Sequence, residues 1–472
     1  MERRESAGQA SPRLAWLGPV AWIVIPLVAA GFVAAFAAEV GVPIAILVGA
    51  VTGMVWSLRD PRTGFLIVVL LASFVNYSAG RLLLELGIVY GWLLWMALVV
   101  WWRSAWVLPV RLPRRMKAPL IVWTLACLAA GLTGFVSGNN SHFLGIQFAG
   151  ALWPVVSVLM CQGLSRKNLI GAAIGLVIIS LAHVVFGVSA IRTAHERLGG
   201  VYFTPVPGQV AMLLWGAALM APQRRWRLAS LVLMAILLLH QILSFTRGYW
   251  LGILAGMAVV TALVWTLAPW PERWTVVRRT GFLAGGMSAA LAVLLVSSSL
   301  VGGMSVLQAA GRRFGSSFSV EASSETASNV MRLLEYSQAV DAARQSPVLG
   351  KGFGSAFVIV DPFVGQRSVD PLVHNYYLYI TVKMGLVGLA AFIFLIWRFF
   401  RTTLPPLRGE RDWVSRVWLI AAIAMTVQVL VISLTNYSLN DANTGAPFAF
   451  LWAGAWAVLG RRGEGEGELP EA

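Results

Sequence analysis

The 472-residue sequence is short of charge. Asp, Glu, Lys and Arg make up only 12% of it, against 58% hydrophobic residues and a mean hydropathy of +0.75. An average soluble domain carries roughly 25% charged residues, so a soluble globular protein is excluded. Acid is the scarcer sign, with 20 Asp and Glu against 36 Lys and Arg. Cysteine is nearly absent: Cys127 and Cys161 both sit inside apolar runs without a motif partner. That excludes a disulfide framework and a thiolate metal site, and both residues read as core filler. Alternating strands of about 9–11 residues are missing, which excludes a membrane β-barrel. No internal repeat is visible, which lowers the odds of a transporter built from two related halves.

What is present is a succession of apolar runs long enough to cross a hydrocarbon core about 30 Å thick. Fourteen candidate spans are expected, near 18–38, 42–58, 63–78, 82–102, 118–137, 144–162, 168–190, 206–221, 228–245, 248–269, 280–302, 374–400, 415–436 and 444–460. The pair flanking Arg247 can count as one bent unit, so the range is twelve to fourteen. The predicted fold class is all-α, a polytopic transmembrane helical bundle with one large, partly helical extracytoplasmic loop. The boundaries are a cytoplasmic tail at 1–17, spans at 18–302, the loop at 303–373, C-terminal spans at 374–460 and a disordered Gly/Glu tail at 461–472. The N-terminal apolar stretch is too long for a signal-peptide core and is expected to stay uncleaved.

The net charge of +16 invites a nucleic-acid reading, which position removes. With the N-terminus inside, 25 of the 36 Lys and Arg fall in the tails and in alternate connections. Clustering of Lys and Arg on the cytoplasmic side fixes orientation in the membrane. Both termini are then cytoplasmic, and no nucleic-acid partner is expected.

The loop from Gly303 to Leu372 is the polar exception. It holds six basic and six acidic residues, so anion binding there would depend on individual arginines. Residues 326–345 read as a helix with Arg332 in its first turns, stopped by Pro347. Next comes Ser346-Pro347-Val348-Leu349-Gly350-Lys351-Gly352-Phe353-Gly354. Its glycines suit either a phosphate cradle or a plain turn, and without a βαβ frame the turn is favoured. His374, one of five histidines, stands where the apolar sequence resumes, before Asn375. An imidazole titrates near neutral pH and suits general-base work; arginines are its expected charged neighbours. Arg247, in Ser244-Phe245-Thr246-Arg247-Gly248, lies between two apolar runs. A guanidinium there costs a few kcal/mol unless it reaches water or a partner. Arg197 lies in a further external segment, Arg192 to Pro207.

In this order, these motifs resemble the O-antigen ligase superfamily, which includes O-antigen polymerases. Ser-Phe-Thr-Arg-Gly resembles the family's Arg-Gly turn. Arg332 followed by Pro-x-x-Gly-x-Gly resembles its loop pattern. His374-Asn375 through Gly385-Leu386-Val387-Gly388 resembles its His-Asn signature, and Arg197 to Pro205 its Arg-x-x-Gly…Pro segment. Lys383 departs from the acidic residue often found there.

The resemblance implies a membrane glycosyltransferase at the outer face of the bacterial inner membrane. It would move a glycan from undecaprenyl diphosphate to a glycan, lipid A core or protein acceptor. It implies no cofactor and no metal. Arg247, Arg332 and Arg197 would bind the diphosphate, His374 would activate the acceptor hydroxyl, and Asn375, Gly350 and Gly352 would support the site. A polymerase of the same superfamily is the first alternative. A lipid-linked-oligosaccharide flippase or other transporter is the second, disfavoured because polar residues gather at one outer face rather than near the midplane.

Overall fold

In the computed structural model, the described residues are 52–73, 82–103, 112–191, 205–243, 246–269, 273–282, 285–286, 324–360, 367–370, 372–436 and 438–460. Among them the chain is helical almost throughout. The first helices are α1 (Pro61–Ser73), α2 (Leu82–Arg103), α3 (Arg114–Val136), α4 (Ser141–Ala151), α5 (Trp153–Gly163) and α6 (Leu169–Ile191). Then come α7 (Val206–Met220), α8 (Arg224–Leu243), α9 (Arg247–Leu267) and α10 (Ser324–Gln345). The last are α11 (Tyr376–Thr403), α12 (Trp413–Ile432) and α13 (Ala442–Leu459).

Six of the described helical segments are long and apolar enough to cross a membrane. The count is seven if the pair α4–α5, bent by 48° at Leu152, forms one span. Pro154 just beyond the bend has no N–H to continue the ladder. The spans expected near 18–38, 42–58 and 280–302 lie wholly or largely outside the described residues, as do the tails at 1–17 and 461–472. The multi-pass helical bundle read from hydropathy is the architecture observed.

The bundle closes around α13. Nearly every residue of that helix is buried, as expected for a helix apolar on all sides. Its small residues let neighbours approach closely: Gly454 lies against the Trp418 ring of α12, and Gly445 against Trp153 of α5. Phe399 of α11 stacks on Trp452 with centroids 4.2 Å apart and planes 4° from parallel. Between apolar helices in a bilayer, such close packing is the main source of cohesion.

The segment between α10 and α11 adds one feature to the all-α expectation. Strands β1 (Phe357–Val360) and β2 (Arg367–Asp370) pair antiparallel, Phe357 opposite Asp370 and Val360 opposite Arg367. A four-residue pair is too short to read from alternation. Before it, α10 packs on α11 through the buried, small Ala339 and Ala342.

Candidate active site

The site is built where α10 meets the start of α11. Glu335 and Tyr336 of α10 hold residue 374 at three points. The Glu335 carboxylate accepts a hydrogen bond from the His374 main-chain N–H through Oε1. Its Oε2 lies 2.9 Å from Nδ1 of the ring. The Tyr336 hydroxyl donates to the His374 carbonyl at 2.8 Å. Burial raises the Tyr336 phenol above its ordinary range, Arg332 lowers it and Glu335 raises it again, so it remains a protonated donor. The Glu335 side chain is 5% exposed and that of His374 39%. The ring is therefore anchored on its buried side and open to the outside.

Asn375 follows as the N-cap of α11. Its Oδ1 accepts from the amides of Tyr377 and Leu378, both at 3.0 Å, which satisfies two donors that every helix start leaves over. Its Nδ2 donates to the Leu434 carbonyl at 3.1 Å. The Tyr376 amide donates to the Ser433 carbonyl at 2.8 Å. The first turn of α11 is thus bonded to the end of α12 with its amides committed, and the positive end of its dipole lies beside His374.

Arg332 sits one helical turn before Glu335 on the same face, where such neighbours are about 5–6 Å apart at Cβ. It is exposed, and it makes no ion pair or hydrogen bond among the described residues. Arg247 is the first residue of α9; its side chain lies outside the described residues. The start of α9 does reach the same place. A Cβ on Gly248 would strike Oγ1 of Thr435, next to Leu434, which holds Asn375. His374, Arg332 and the α9 turn therefore converge on one end of the bundle. Arg197 lies outside the described residues.

Gly350 and Gly352 do a different job from a phosphate cradle. Helix α11 breaks at Gly385, whose φ of 65° and ψ of −167° are not helical. In an unbroken helix, Leu386 would donate to Val382 and Val387 to Lys383. Instead Leu386 donates to the Pro347 carbonyl at 2.8 Å and Val387 to that of Val348 at 3.2 Å. The amides of Lys351 and Gly352 donate to the carbonyls of Val382 and Lys383 at 2.7 and 3.0 Å. The turn is spliced into the break and satisfies both sides of it. Its other amides are committed as well: Gly350 to Ser346, Phe353 to Ala130, Gly354 to Oε1 of Gln147. No amide from Gly350 to Gly354 is left for a phosphate. Glycine is required because φ is +72° at Gly350 and +80° at Gly352, and a Cβ on Gly350 would lie 2.5 Å from the Lys383 carbonyl carbon.

Lys383 is fully buried beside this splice. Its ammonium donates to the carbonyl of Ser355 and, at 3.1 Å, to its hydroxyl. It also lies 5.7 Å from the centre of the Tyr379 ring. A buried cation needs such partners, and here they tie the turn to α11.

Residues 229–393 match the family model described as O-antigen ligase. That stretch is similar to the O-antigen ligase family. The match covers about a third of the chain. It runs from α8 through α9, α10 and the β pair into α11, and it contains Arg247, Arg332, Glu335, His374 and the spliced turn. Arg197 falls before it. The match supports the resemblance to the O-antigen ligase and polymerase superfamily. No curated protein matches the chain.

Reading the sequence alone singled out Arg332, His374 and Asn375 but not Glu335 or Tyr336. A charged group in contact with the imidazole is the Glu335 carboxylate, which the expectation of arginine neighbours did not include. The available signal was spacing: Arg332, Glu335 and Tyr336 stand at i, i+3 and i+4 of one helix, hence on one face.

Proposed function

We propose that the protein transfers a glycan from undecaprenyl diphosphate to an acceptor hydroxyl at the outer face of the inner membrane, as an O-antigen ligase-type enzyme. One observation carries this reading. A histidine, anchored by a buried carboxylate on one side and exposed on the other, shares a helix-capped corner with Arg332 and the Arg247 turn. The ligase-family match over the same residues supports it.

In this reading His374 takes the proton of the acceptor hydroxyl as that oxygen bonds to the anomeric carbon. The bond from the anomeric carbon to the diphosphate oxygen breaks, and its electron pair leaves on the diphosphate. Arg332 and Arg247 receive the growing charge. Guanidinium stays ionised and offers a planar fork of donors to phosphate oxygens. Fixed donors aimed at developing charge are worth more than mobile water. The positive end of α11 adds to them. The leaving group supplies the driving force, so no nucleotide is needed outside the cell. The lipid-facing helices would hold the polyprenyl tail.

The test is transfer by the purified protein in lipid nanodiscs, with an undecaprenyl-diphosphate oligosaccharide and either rough lipopolysaccharide or a second lipid-linked repeat as acceptor. Transfer that needs His374 and Arg332 is expected. Undiminished transfer by His374→Ala overturns the base, and transmembrane movement of donor without transfer overturns the enzyme. Deletion in cells separates acceptors: a lost ligase leaves long lipid-linked polymer unattached, a lost polymerase leaves single repeats attached.

A further inference from the structure

We infer that Glu335 is the positioning residue that sets the tautomer of His374, holding the ring proton on Nδ1 and leaving the lone pair of Nε2 for the acceptor hydroxyl. The inference rests on the proposed base role of His374 for its functional meaning, though not for its geometry.

The argument is one of donors and acceptors. The Glu335 carboxylate contacts two atoms of the same residue, the main-chain nitrogen and Nδ1 of the ring. An ionised carboxylate can only accept, and a main-chain N–H can only donate. The second oxygen, 2.9 Å from Nδ1, is likewise an acceptor, so Nδ1 must carry the proton. A neutral imidazole has one N–H, so the lone pair is then at Nε2, on the other side of the ring. Because the same carboxylate also grips the backbone, it fixes ring rotation and tautomer together. Its burial, at 5% side-chain exposure, keeps water from exchanging with it. Tyr336 completes the clamp at the His374 carbonyl and leaves the ring alone.

This arrangement makes an amide at position 335 informative. Gln has one acceptor oxygen and one donor NH₂. The backbone N–H of His374 accepts nothing, so it takes the oxygen. The NH₂ then faces Nδ1, which must become the acceptor. The ring proton moves to Nε2, and the nitrogen meant to take a proton already holds one. Wrong-tautomer histidine is a known route to large rate losses with geometry intact.

The experiment is ¹⁵N NMR of the full-length protein in nanodiscs, labelled at histidine, at about pH 8, above the ordinary imidazole range. With five histidines, the His374 signals are assigned by their loss in His374→Ala. The wild type is expected to show His374 protonated at Nδ1, Glu335→Gln at Nε2, and Tyr336→Phe unchanged from wild type. Transfer by Glu335→Gln is expected to fall about 10²–10⁴-fold, the usual worth of a general base, with the KM for the lipid-linked donor unchanged. A wild-type ring protonated at Nε2, or a Glu335→Gln ring still protonated at Nδ1, overturns the inference. The wild-type spectrum decides this even if the variant does not fold, which the other four histidine signals report. A Glu335→Gln ring that has switched tautomer while transfer continues overturns the base role of His374 instead, and leaves the positioning intact.

Discussion

Glu335 of α10 and Lys383 of α11 are both buried charges in the same helix pair, and they are put to different uses. Glu335 directs both oxygens at one residue, His374, whose ring remains partly exposed. Lys383 directs its ammonium at Ser355 and the Tyr379 ring, both buried. The first holds a titratable group in place. The second holds a loop in place. Burial of a charge therefore does not mark chemistry by itself; what it holds, and whether that partner is open to substrate, does.

The comparison can be broken most sharply on the Glu335 side. His374→Ala should reduce transfer by about 10²–10⁴-fold, the range for loss of a general base, while the protein still inserts and melts near the wild-type temperature. Melting in detergent and transfer in nanodiscs measure the two halves. Unfolding of this variant would mean that the clamp is architectural rather than chemical.

Next comes Arg332. Arg332→Lys keeps the charge but loses the planar fork that meets phosphate oxygens two at a time. A loss of about 1.5–3 kcal/mol for one charge-assisted hydrogen bond predicts a roughly 10–100-fold fall in kcat/KM. Steady-state kinetics on the lipid-linked donor check it, and unchanged kinetics would remove Arg332 from the diphosphate site.

Lys383→Met should show the opposite pattern. It fills similar space but leaves the buried Ser355 carbonyl without its donor, at a cost of about 1–3 kcal/mol. The melting temperature should fall while kcat stays within about tenfold, because the contacts to Ser355 tie the turn to α11. A collapse of kcat at full stability would put Lys383 at the site and erase the contrast.

The smallest effect is expected at Asn375. Asn375→Ala removes the α11 cap, typically worth about 1 kcal/mol, and the tie to Leu434. A modest loss of stability is expected, and Asn375→Ser should restore most of it by capping in the same way.

Much of this was legible in one dimension, for identifiable reasons. A hydrocarbon core selects long apolar runs, so α2, α3, α6, α9, α11 and α12 announce themselves. Arg332 and His374 stand out because polar residues are rare in the chain and these two lie in its one long polar segment or at its end. The helix of residues 324–345 follows from its good helix formers and the proline after it. Glu335 did not stand out. It is one of six acids in the loop, and 39 residues separate it from His374. Nothing in linear spacing says which acid meets the imidazole. The Gly350–Gly354 turn was visible as a turn, but its partner was not, because the break at Gly385 opens within an apolar stretch that reads as continuous helix.

The sequence by itself determined that the chain is a multi-pass helical membrane protein with one polar segment carrying arginine and histidine, because hydropathy and charge are local properties that a bilayer sorts directly. Only the tertiary structure decided which carboxylate grips the histidine, which carbonyls the glycine turn completes and where the α9 turn arrives. Those are pairings between groups far apart along the chain, and they are settled by the requirement that every buried donor and acceptor find a partner once the helices have packed.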